Sequence, residues 1–262
     1  MTILDKIIKE KHLEVERMLL EKYSPRVNAT PRPSLFETLR EANHLHVIAE
    51  MKRASPSKGL IAEGADPVAQ AITYYEAGAA CISVLTDATF FKGSFDDLAA
   101  VSEVVPLPLL CKDFMIHPIQ IDRAKSSGAS VILLIVAALT EEEFTGLYAY
   151  ATASGLEVLV EVHDAEELKH ALAVNAKLIG VNNRNLHTFE VDLAQTEEIA
   201  AIFPFSEERV LISESGIMGK EDAERVFRAG AKAILVGESL MRSGTIDKSI
   251  QSMQVAQLGT IK

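Results

Sequence analysis

Runs of apolar residues rich in Val, Ile and Leu alternate with amphipathic stretches along most of the chain. This alternation is typical of parallel β-strands that are covered by helices. The runs that predict strands are VIAEM from Val47, ACISVL from Ala80, LPLLC from Leu107, SVILLIV from Ser130, EVLVEV from Glu157, KLIGV from Lys177, VLISES from Val210 and KAILVG from Lys232. Eight such units without a linker to a second domain predict a closed (β/α)₈ TIM barrel, formed by one domain over residues 1–262.

Residues that typically start helices lie between these runs, and they support the prediction of eight strand–helix units. Asp66 and His117 each precede a proline, which is the pattern of an N-cap followed by proline at the first helical position. Thr140 and Asp164 each stand three residues before a glutamate, which is the spacing of a capping box. An open, doubly wound sheet is the main alternative. No G-x-G-x-x-G follows the first strand, and polar residues end several different strands, so a closed barrel is favoured.

Residues 1–45 precede the first predicted strand and predict an N-terminal helical extension. Residues 3–22 and 34–42 have helical spacing of apolar positions, and we expect both helices to extend the barrel at one end. The charged side of the first helix is expected to be a solvated face of a helix packed on the barrel.

Composition limits the classes of protein. No apolar run approaches the roughly 20 residues of a membrane span, and the amino terminus lacks the features of a signal peptide, so we expect a cytoplasmic protein without membrane association. The net charge of −11 argues against nucleic-acid binding, and an anionic substrate would need local cations and helix N-termini. Cys81 and Cys111 lie in apolar runs without metal-ligand spacing, so we expect reduced core residues and no metal site.

Ionisable side chains stand at the carboxyl ends of the predicted strands, where this fold builds its active site. Glu50 and Lys52 share one face of the first strand because strand side chains alternate. The residues at the other strand ends are Lys112 and Asp113, Glu161, Asn182 and Arg184, and Glu214 and Ser215. Several ionisable groups in a barrel interior are costly unless they bind something. These residue types suit proton transfer at a carbonyl and a hydroxyl, and a Schiff-base lysine remains open.

Glycine-containing turns follow the last two strands, SESGI at 213–217 and LVGESLM at 235–241. Backbone amides there can cradle a phosphate, and the RASPSKG loop at 53–59 adds Ser55 close to Lys52.

Several further residues have two readings. An N-cap role explains Asp87, Asp113, His117 and His163 as well as chemistry does, because each is next to a helix start. For Phe90, Phe91 and Phe114, core closure and an aromatic-substrate wall are both open.

Six segments of the chain resemble the indole-3-glycerol phosphate synthase family. They are IAEMKRASPSKG from Ile48, VLTDATFFKGSFDDL from Val84, PLLCKDFMIHPIQI from Pro108, LVEVHDAEEL from Leu159, IGVNNRNLHTFEVDL from Ile179 and ISESGI from Ile212. The resemblance implies conversion of 1-(2-carboxyphenylamino)-1-deoxyribulose 5-phosphate to indole-3-glycerol phosphate in tryptophan biosynthesis, with loss of carbon dioxide and water and without a metal or organic cofactor. Association with other enzymes of that pathway stays open.

The resemblance also implies roles for individual residues. Lys112 is expected to be the general acid at the ketone carbonyl, and Lys52, oriented by Glu50, to pair with the substrate carboxylate. Glu161 is expected to handle protons in ring closure or dehydration, with Asn182 holding Glu161 or a hydroxyl.

The remaining implied site residues form walls and a phosphate site. Glu214 and Ser215 complete the wall, Phe91 and Phe114 flank the anthranilate ring, Arg184 belongs to the substrate-binding set, and phosphate contacts Ser55, Gly216, Gly237 and the amide of Glu238. The family commonly has a small residue in place of Glu238, so its side chain is expected to turn outward. The chain has no Trp, so its leading segment cannot supply a Trp wall.

Two alternatives remain at this point. One is another phosphate-binding barrel, such as an isomerase of aromatic amino-acid or histidine synthesis, and the other is a barrel that binds an anionic ligand without catalysis. The first typically needs a Cys-Asp or Asp-Asp pair, where this chain has Glu50 and Lys52.

Overall fold

A closed barrel of parallel strands forms the centre of the molecule. The structure, a computed structural model, describes residues 2–21, 31–55, 59–60, 64, 66–186, 188–242 and 244–256. The barrel strands are β1 (His46–Met51), β2 (Cys81–Leu85), β3 (Leu109–Lys112), β4 (Val131–Ile135), β5 (Glu157–Val162), β6 (Leu178–Asn182), β7 (Val210–Glu214) and β8 (Ala233–Val236). Each strand pairs with its neighbours in chain order, and β8 closes onto β1. The predicted fold class and strands are confirmed.

Helices cover the outside of the barrel and its two ends. They are α1 (Ile3–Leu20), α2 (Leu35–Arg40), α3 (Pro67–Glu76), α4 (Ala88–Phe91), α5 (Phe95–Val104), α6 (Pro118–Ser126), α7 (Glu141–Ala153), α8 (Ala165–Ala173), α9 (Ala194–Ile202), α10 (Lys220–Ala229), α11 (Glu238–Arg242) and α12 (Ile246–Met253). A short hairpin of Ala54–Ser55 and Gly59–Leu60 follows β1.

The predicted N-caps begin their helices as expected. Asp66 and His117 accept backbone N–H bonds at the starts of α3 and α6, and Thr140 forms a complete capping box with Glu143 at the start of α7. Asp164 also caps α8, because its side chain accepts the backbone N–H of Glu167, but the reciprocal bond of the predicted capping box is absent. The Glu167 carboxylate accepts the backbone N–H of His163 and not that of Asp164.

The two leading helices lie at opposite ends of the barrel, so the expectation that both extend one end was wrong. The N-terminal turn of α1 lies over the carboxyl ends of the strands, where Ile3 and Ile7 line the central cavity. The start of α2 lies at the amino end, where the backbone N–H groups of Leu35 and Phe36 donate to the Glu157 carboxylate at 2.7 and 2.9 Å. A carboxylate at a helix N-terminus satisfies amides that have no partner within the helix.

Strand β5 shows how the barrel interior is layered. Glu157 contacts α2 at the amino end, Leu159 packs among the buried apolar residues of the interior, and Glu161 reaches the cavity at the carboxyl end. Because side chains alternate along a strand, these three residues share the inward face. The interior is therefore an apolar layer with ionisable groups above it.

Helix α1 is anchored by a lysine that is fully buried. The Lys11 ammonium lies 2.9 Å from Asp87 Oδ2 and 2.7 Å from Asp113 Oδ1, at the ends of β2 and β3. Burial opposes the charge, but Asp113 and Asp87 outweigh it and raise the pKa of Lys11 above its ordinary value. The charged side of α1 was expected to be solvated, and Lys11 is the exception, since partners of opposite charge compensate its burial.

Candidate active site

A cavity of about 650 Å³ opens at the carboxyl ends of the barrel strands. The residues predicted for the site that line it are Glu50, Lys52, Phe91, Lys112, Phe114, Glu161, Asn182, Arg184, Glu214, Ser215, Gly216, Gly237 and Glu238. For Ser55, the structure describes the backbone in the hairpin, and its side chain lies outside the described residues. Barrel closure thus brings together residues that are far apart in the chain.

The Lys112 ammonium lies between carboxylates on the floor of this cavity. Its Nζ is 2.5 Å from Glu214 Oε2 and 3.6 Å from Glu161 Oε2. Burial lowers the pKa of Lys112, but the charges of Glu214, Glu161 and Glu50 outweigh burial and hold this pKa above its ordinary value. Lys112 is therefore protonated throughout the neutral range, which is the form that a general acid needs.

For the Glu214 carboxyl group, burial has the larger effect and favours the neutral form. Its burial raises the pKa of Glu214 to about 7, although Lys112 acts in the other direction. Its Oε1 atom has no hydrogen-bond partner within the described part of the chain, and it points at Gly180 of β6. A Cβ atom on Gly180 would overlap Oε1, so a glycine is needed for Glu214 to occupy this position.

Glu50 and Lys52 form an ion pair on one wall of the cavity. Lys52 Nζ lies 2.6 Å from Glu50 Oε1, as their shared strand face predicts. Burial favours a neutral Glu50, but Lys52 and Lys112 outweigh it and keep the pKa of Glu50 below its ordinary value. A Cβ atom on Gly237 would approach Glu50 Oε1 to 2.8 Å, so this glycine also makes room for a buried carboxylate.

Glu161 is held in place by side chains from two neighbouring elements. Asn182 at the end of β6 donates through Nδ2 to Glu161 Oε1 at 2.9 Å. His163, two residues after Glu161, places Nε2 3.4 Å from the same oxygen. The second oxygen, Oε2, faces Lys112.

Apolar side chains close the cavity above these charges. Phe91 and Phe114 lie with ring centroids 5.9 Å apart and an interplanar angle of 33°. On the side of the leading helix, where a Trp is impossible, the lining residues are the aliphatic Ile3, Leu4 and Ile7. A planar aromatic ligand therefore finds apolar surface beside a charged floor.

The turn after β7 has an unusual backbone. Ser215 has φ +67° and Gly216 has φ +84°, so both residues are in the left-handed region. A side chain on Gly216 would also overlap Val191, so the position requires glycine on two grounds. A non-glycine residue held in this region is a strained feature that often occurs at functional sites.

The contacts of Asp87, His117 and Asp113 show which of these residues are helix N-caps. Asp87 caps α4 through the backbone N–H groups of Phe90 and Phe91, and it also binds Lys11. His117 caps α6. Asp113 caps no described helix, since its carboxylate accepts from Thr86 and its own neighbour Phe114 while pairing with Lys11.

Sequence reasoning missed Lys11 and Gly180. Lys11 falls at helical spacing with the buried Ile7, Val15 and Met18, so a charge on the apolar stripe was the available signal. For Gly180 the signal was a glycine inside a strand, which indicates a close approach by another group.

Comparison with known proteins places the chain in a family. The family model described as indole-3-glycerol phosphate synthase matches residues 4–253. The chain belongs to this family. An indole-3-glycerol phosphate synthase of Oceanobacillus iheyensis is 51% identical over 97% of each chain, and one of Bacillus cereus is 53% identical over 97% of this chain and 98% of its own. As a member of the indole-3-glycerol phosphate synthase family, the chain is a carboxy-lyase of tryptophan biosynthesis that acts on a small phosphorylated substrate.

Solved structures with low identity share the fold. A crystal structure of 3-hexulose-6-phosphate synthase has a TM-score of 0.60 at 15% identity and covers 80% of this chain and 98% of its own. Thiamine phosphate pyrophosphorylase from Pyrococcus furiosus has a TM-score of 0.59 at 18% identity and covers 82% of this chain and 95% of its own. Among the described residues, no helix is long and apolar enough to span a membrane, and no cluster of three or more His, Cys, Asp or Glu side chains is arranged to hold a metal.

Proposed function

We propose that this cavity closes the indole ring of 1-(2-carboxyphenylamino)-1-deoxyribulose 5-phosphate, and that the residues lining it carry the reaction. The observation that supports this most is the Lys112 ammonium, which lies between Glu214 and Glu161 on the floor of a cavity with a wall of Phe91 and Phe114. An aromatic substrate that must gain and lose protons requires both features.

Lys112 acts as the general acid in this proposal. Its surrounding carboxylates keep it charged, so its ammonium donates to the ketone oxygen while the aromatic carbon attacks the carbonyl carbon. The short contact with Glu214 fixes the direction of the ammonium. Glu214 takes part as the group that orients Lys112, and Ser215 completes the wall next to it.

Lys52 binds the carboxylate that leaves as carbon dioxide. Its ammonium is oriented by Glu50 at 2.6 Å and remains partly accessible at the cavity wall. The carboxylate of the substrate competes with Glu50 for the ammonium, and its charge is lost from the site when carbon dioxide leaves. Arg184 supplies a further cation on the cavity lining.

Glu161 is the base of the proposal. Asn182 holds one of its oxygens and leaves Oε2 directed toward Lys112 and the cavity. Oε2 takes a proton in ring closure or in the dehydration that follows, and in the dehydration this proton is passed to the hydroxyl group, which leaves as water. A carboxylate with one fixed and one available oxygen is suited to this transfer.

Phosphate binding is proposed at the glycine turns after β7 and β8. Gly216, Gly237 and Glu238 line the cavity there, and Glu238 begins α11, so its backbone amide is the proposed donor. Lys52 adds charge, and Ser55 from the hairpin is the remaining proposed contact. Loops after the last two strands are a frequent phosphate site in this fold.

The experiment is the growth of indole fluorescence when the purified chain meets the carboxyphenylamino-deoxyribulose phosphate. Since the protein has no Trp, the product signal has almost no background. We expect a rising signal from wild type and from Lys169→Ala, an exposed lysine on α8, and a flat signal from Lys112→Ala. A flat wild-type signal in the presence and absence of added metal ions would contradict the proposed activity.

We also propose that residues 1–262 form one domain in the cytoplasm, without a nucleic-acid partner. One closed sheet runs from His46 to Val236, α2 contacts it at Glu157, and α1 binds Asp113 directly after β3. Cys81 and Cys111 are free and buried, as expected for reduced core residues, and this supports a reducing compartment.

A further inference from the structure

His163 lies between two carboxylates, of which Glu161 lines the cavity. Its Nδ1 is 3.0 Å from Glu167 Oε2, and its Nε2 is 3.4 Å from Glu161 Oε1. The same Glu167 oxygen accepts the backbone N–H of His163 at 2.8 Å, so the start of α8 fixes the ring. Among the described residues that line the cavity, His163 is not included. It reaches the reaction only through Glu161.

The hydrogen-bond network sets the number of protons on this ring. The Glu167 carboxylate is an acceptor, so Nδ1 carries a hydrogen and a neutral imidazole would leave Nε2 as a bare acceptor. Nε2 is buried, faces a carboxylate oxygen, and has no hydrogen-bond partner within the described part of the chain. Two acceptors at this distance repel each other unless a proton lies between them. The ring and the Glu161 carboxylate therefore hold one proton together.

We infer that His163 is a positioning residue for the proposed reaction: as an imidazolium held by Glu167, it shares its Nε2 proton with Glu161 Oε1 and keeps Glu161 Oε2 directed into the cavity. The inference rests on the proposed role of Glu161 as the base. It goes beyond that role because it assigns the control of this base to a residue that does not line the cavity.

The charges around the ring support its protonated form. Burial lowers the pKa of His163, but Glu167 on α8, Glu161 on β5 and Glu214 on β7 outweigh burial and raise it. Glu161 in turn faces the ammonium of Lys112 on β3 through Oε2, while Asn182 and His163 occupy Oε1. Glu161 Oε1 is therefore held by the protein, and Glu161 Oε2 remains available to the substrate.

The imidazolium should act only while His163 holds its second proton. Asn182 still holds Glu161 Oε1 in a His163→Asn variant, but the positive charge beside this oxygen is lost. The wild-type kcat should therefore fall as the pH rises through the raised pKa of His163, and His163→Asn should lack this fall. Glu167→Gln should move the fall to lower pH, because the ring remains but binds its proton more weakly.

The kinetic test compares His163→Asn, Glu167→Gln and a matched control, His170→Asn, which lies on the same helix. The inference predicts that the two test variants lose kcat chiefly below the raised pKa of His163, with KM within about twofold of wild type, since the ring does not line the cavity. The control should follow the wild-type profile. A kcat that falls by the same factor at every pH in His163→Asn, or a change confined to KM, would overturn the inference.

A second measurement does not depend on turnover. In the full-length chain with labelled histidine, the His163 resonance, assigned from its absence in His163→Asn, should titrate above the ordinary histidine pKa of about 6.5. It should titrate lower in Glu161→Gln and in Glu167→Gln. An ordinary value that neither substitution moves would reject the inference even if the enzyme is active. If the titration is as expected but wild type does not close the ring, the proposed function fails and the proton-sharing pair remains.

Discussion

The Glu214 carboxylate occupies the space that the missing side chain of Gly180 leaves free in the barrel interior. Glu214 holds Lys112 from this position at 2.5 Å. A methyl group on Gly180 overlaps Glu214 Oε1, so we expect Gly180→Ala to displace the carboxylate and with it the ammonium of Lys112. Because misplacement of a catalytic group by about 1 Å can cost roughly 10²-fold, kcat should fall by about that factor. Steady-state kinetics with the phosphorylated substrate checks this.

Gly146→Ala is the matched control for that substitution. Gly146 lies within α7, and a Cβ atom there meets nothing within 4 Å. Alanine favours a helix over glycine, so this variant should keep full activity and gain about 0.5–1 kcal/mol of stability. Equal kcat values for Gly180→Ala and Gly146→Ala would show that catalysis does not depend on the position of Glu214 against Gly180.

Lys11→Met should destabilise the protein strongly. It leaves Asp87 and Asp113 buried without their cation, and breaking a buried ion pair from one side typically costs about 3–5 kcal/mol. Urea denaturation measures the loss. Lys9→Met changes an exposed residue on the same helix and should stay within about 0.5 kcal/mol of wild type. Adding Asp87→Asn to Lys11→Met should recover part of the loss, and a triple variant with Asp113→Asn should recover more.

The stability of the fold should depend on pH through Glu214. Burial raises the pKa of Glu214 from 4.5 to about 7, so the folded chain binds this proton more tightly than the unfolded chain. The stabilisation is complete below the unfolded value and is lost as the pH rises through about 7. Glu214→Gln does not titrate. The free energy of unfolding of wild type should therefore fall relative to the variant by about 3 kcal/mol over this range.

Denaturant curves at several pH values, with Glu198→Gln as an exposed control, test this dependence. The control should run parallel to wild type at every pH. If Glu214→Gln also runs parallel, Glu214 has an ordinary pKa in the folded chain and the buried pair with Lys112 does not act as described.

The aromatic wall should control substrate affinity. Phe91→Leu and Phe114→Leu each remove a ring from the pair at 5.9 Å, and an aromatic contact is worth about 0.5–1.5 kcal/mol beyond its area. We expect KM to rise by about twofold to thirteenfold, which corresponds to that energy, with a smaller change in kcat. Phe205→Leu replaces a phenylalanine that is 48% exposed and does not line the cavity, so its KM should stay at the wild-type value.

Local patterns were sufficient to predict much of this protein. Alternation along the chain placed the strands within about two residues of their observed ends and put Glu50 and Lys52 on one face. Asp66, His117 and Thr140 were predicted as N-caps, and each is the N-cap of a helix in the structure. These features depend on residues that are close together in sequence, so the sequence by itself determined them.

Only the tertiary structure decided which groups meet. Closure of the barrel brings Lys112 on β3 against Glu214 on β7, although 102 positions separate them. The folded chain also places α1 and α2 at opposite ends of the barrel. Periodicity tells which face a side chain is on, but its neighbours across the barrel depend on strand stagger and on packing with distant segments. For that reason the partners of Gly180 and Lys11, which are Glu214 and the pair Asp87 and Asp113, were visible only in the folded chain.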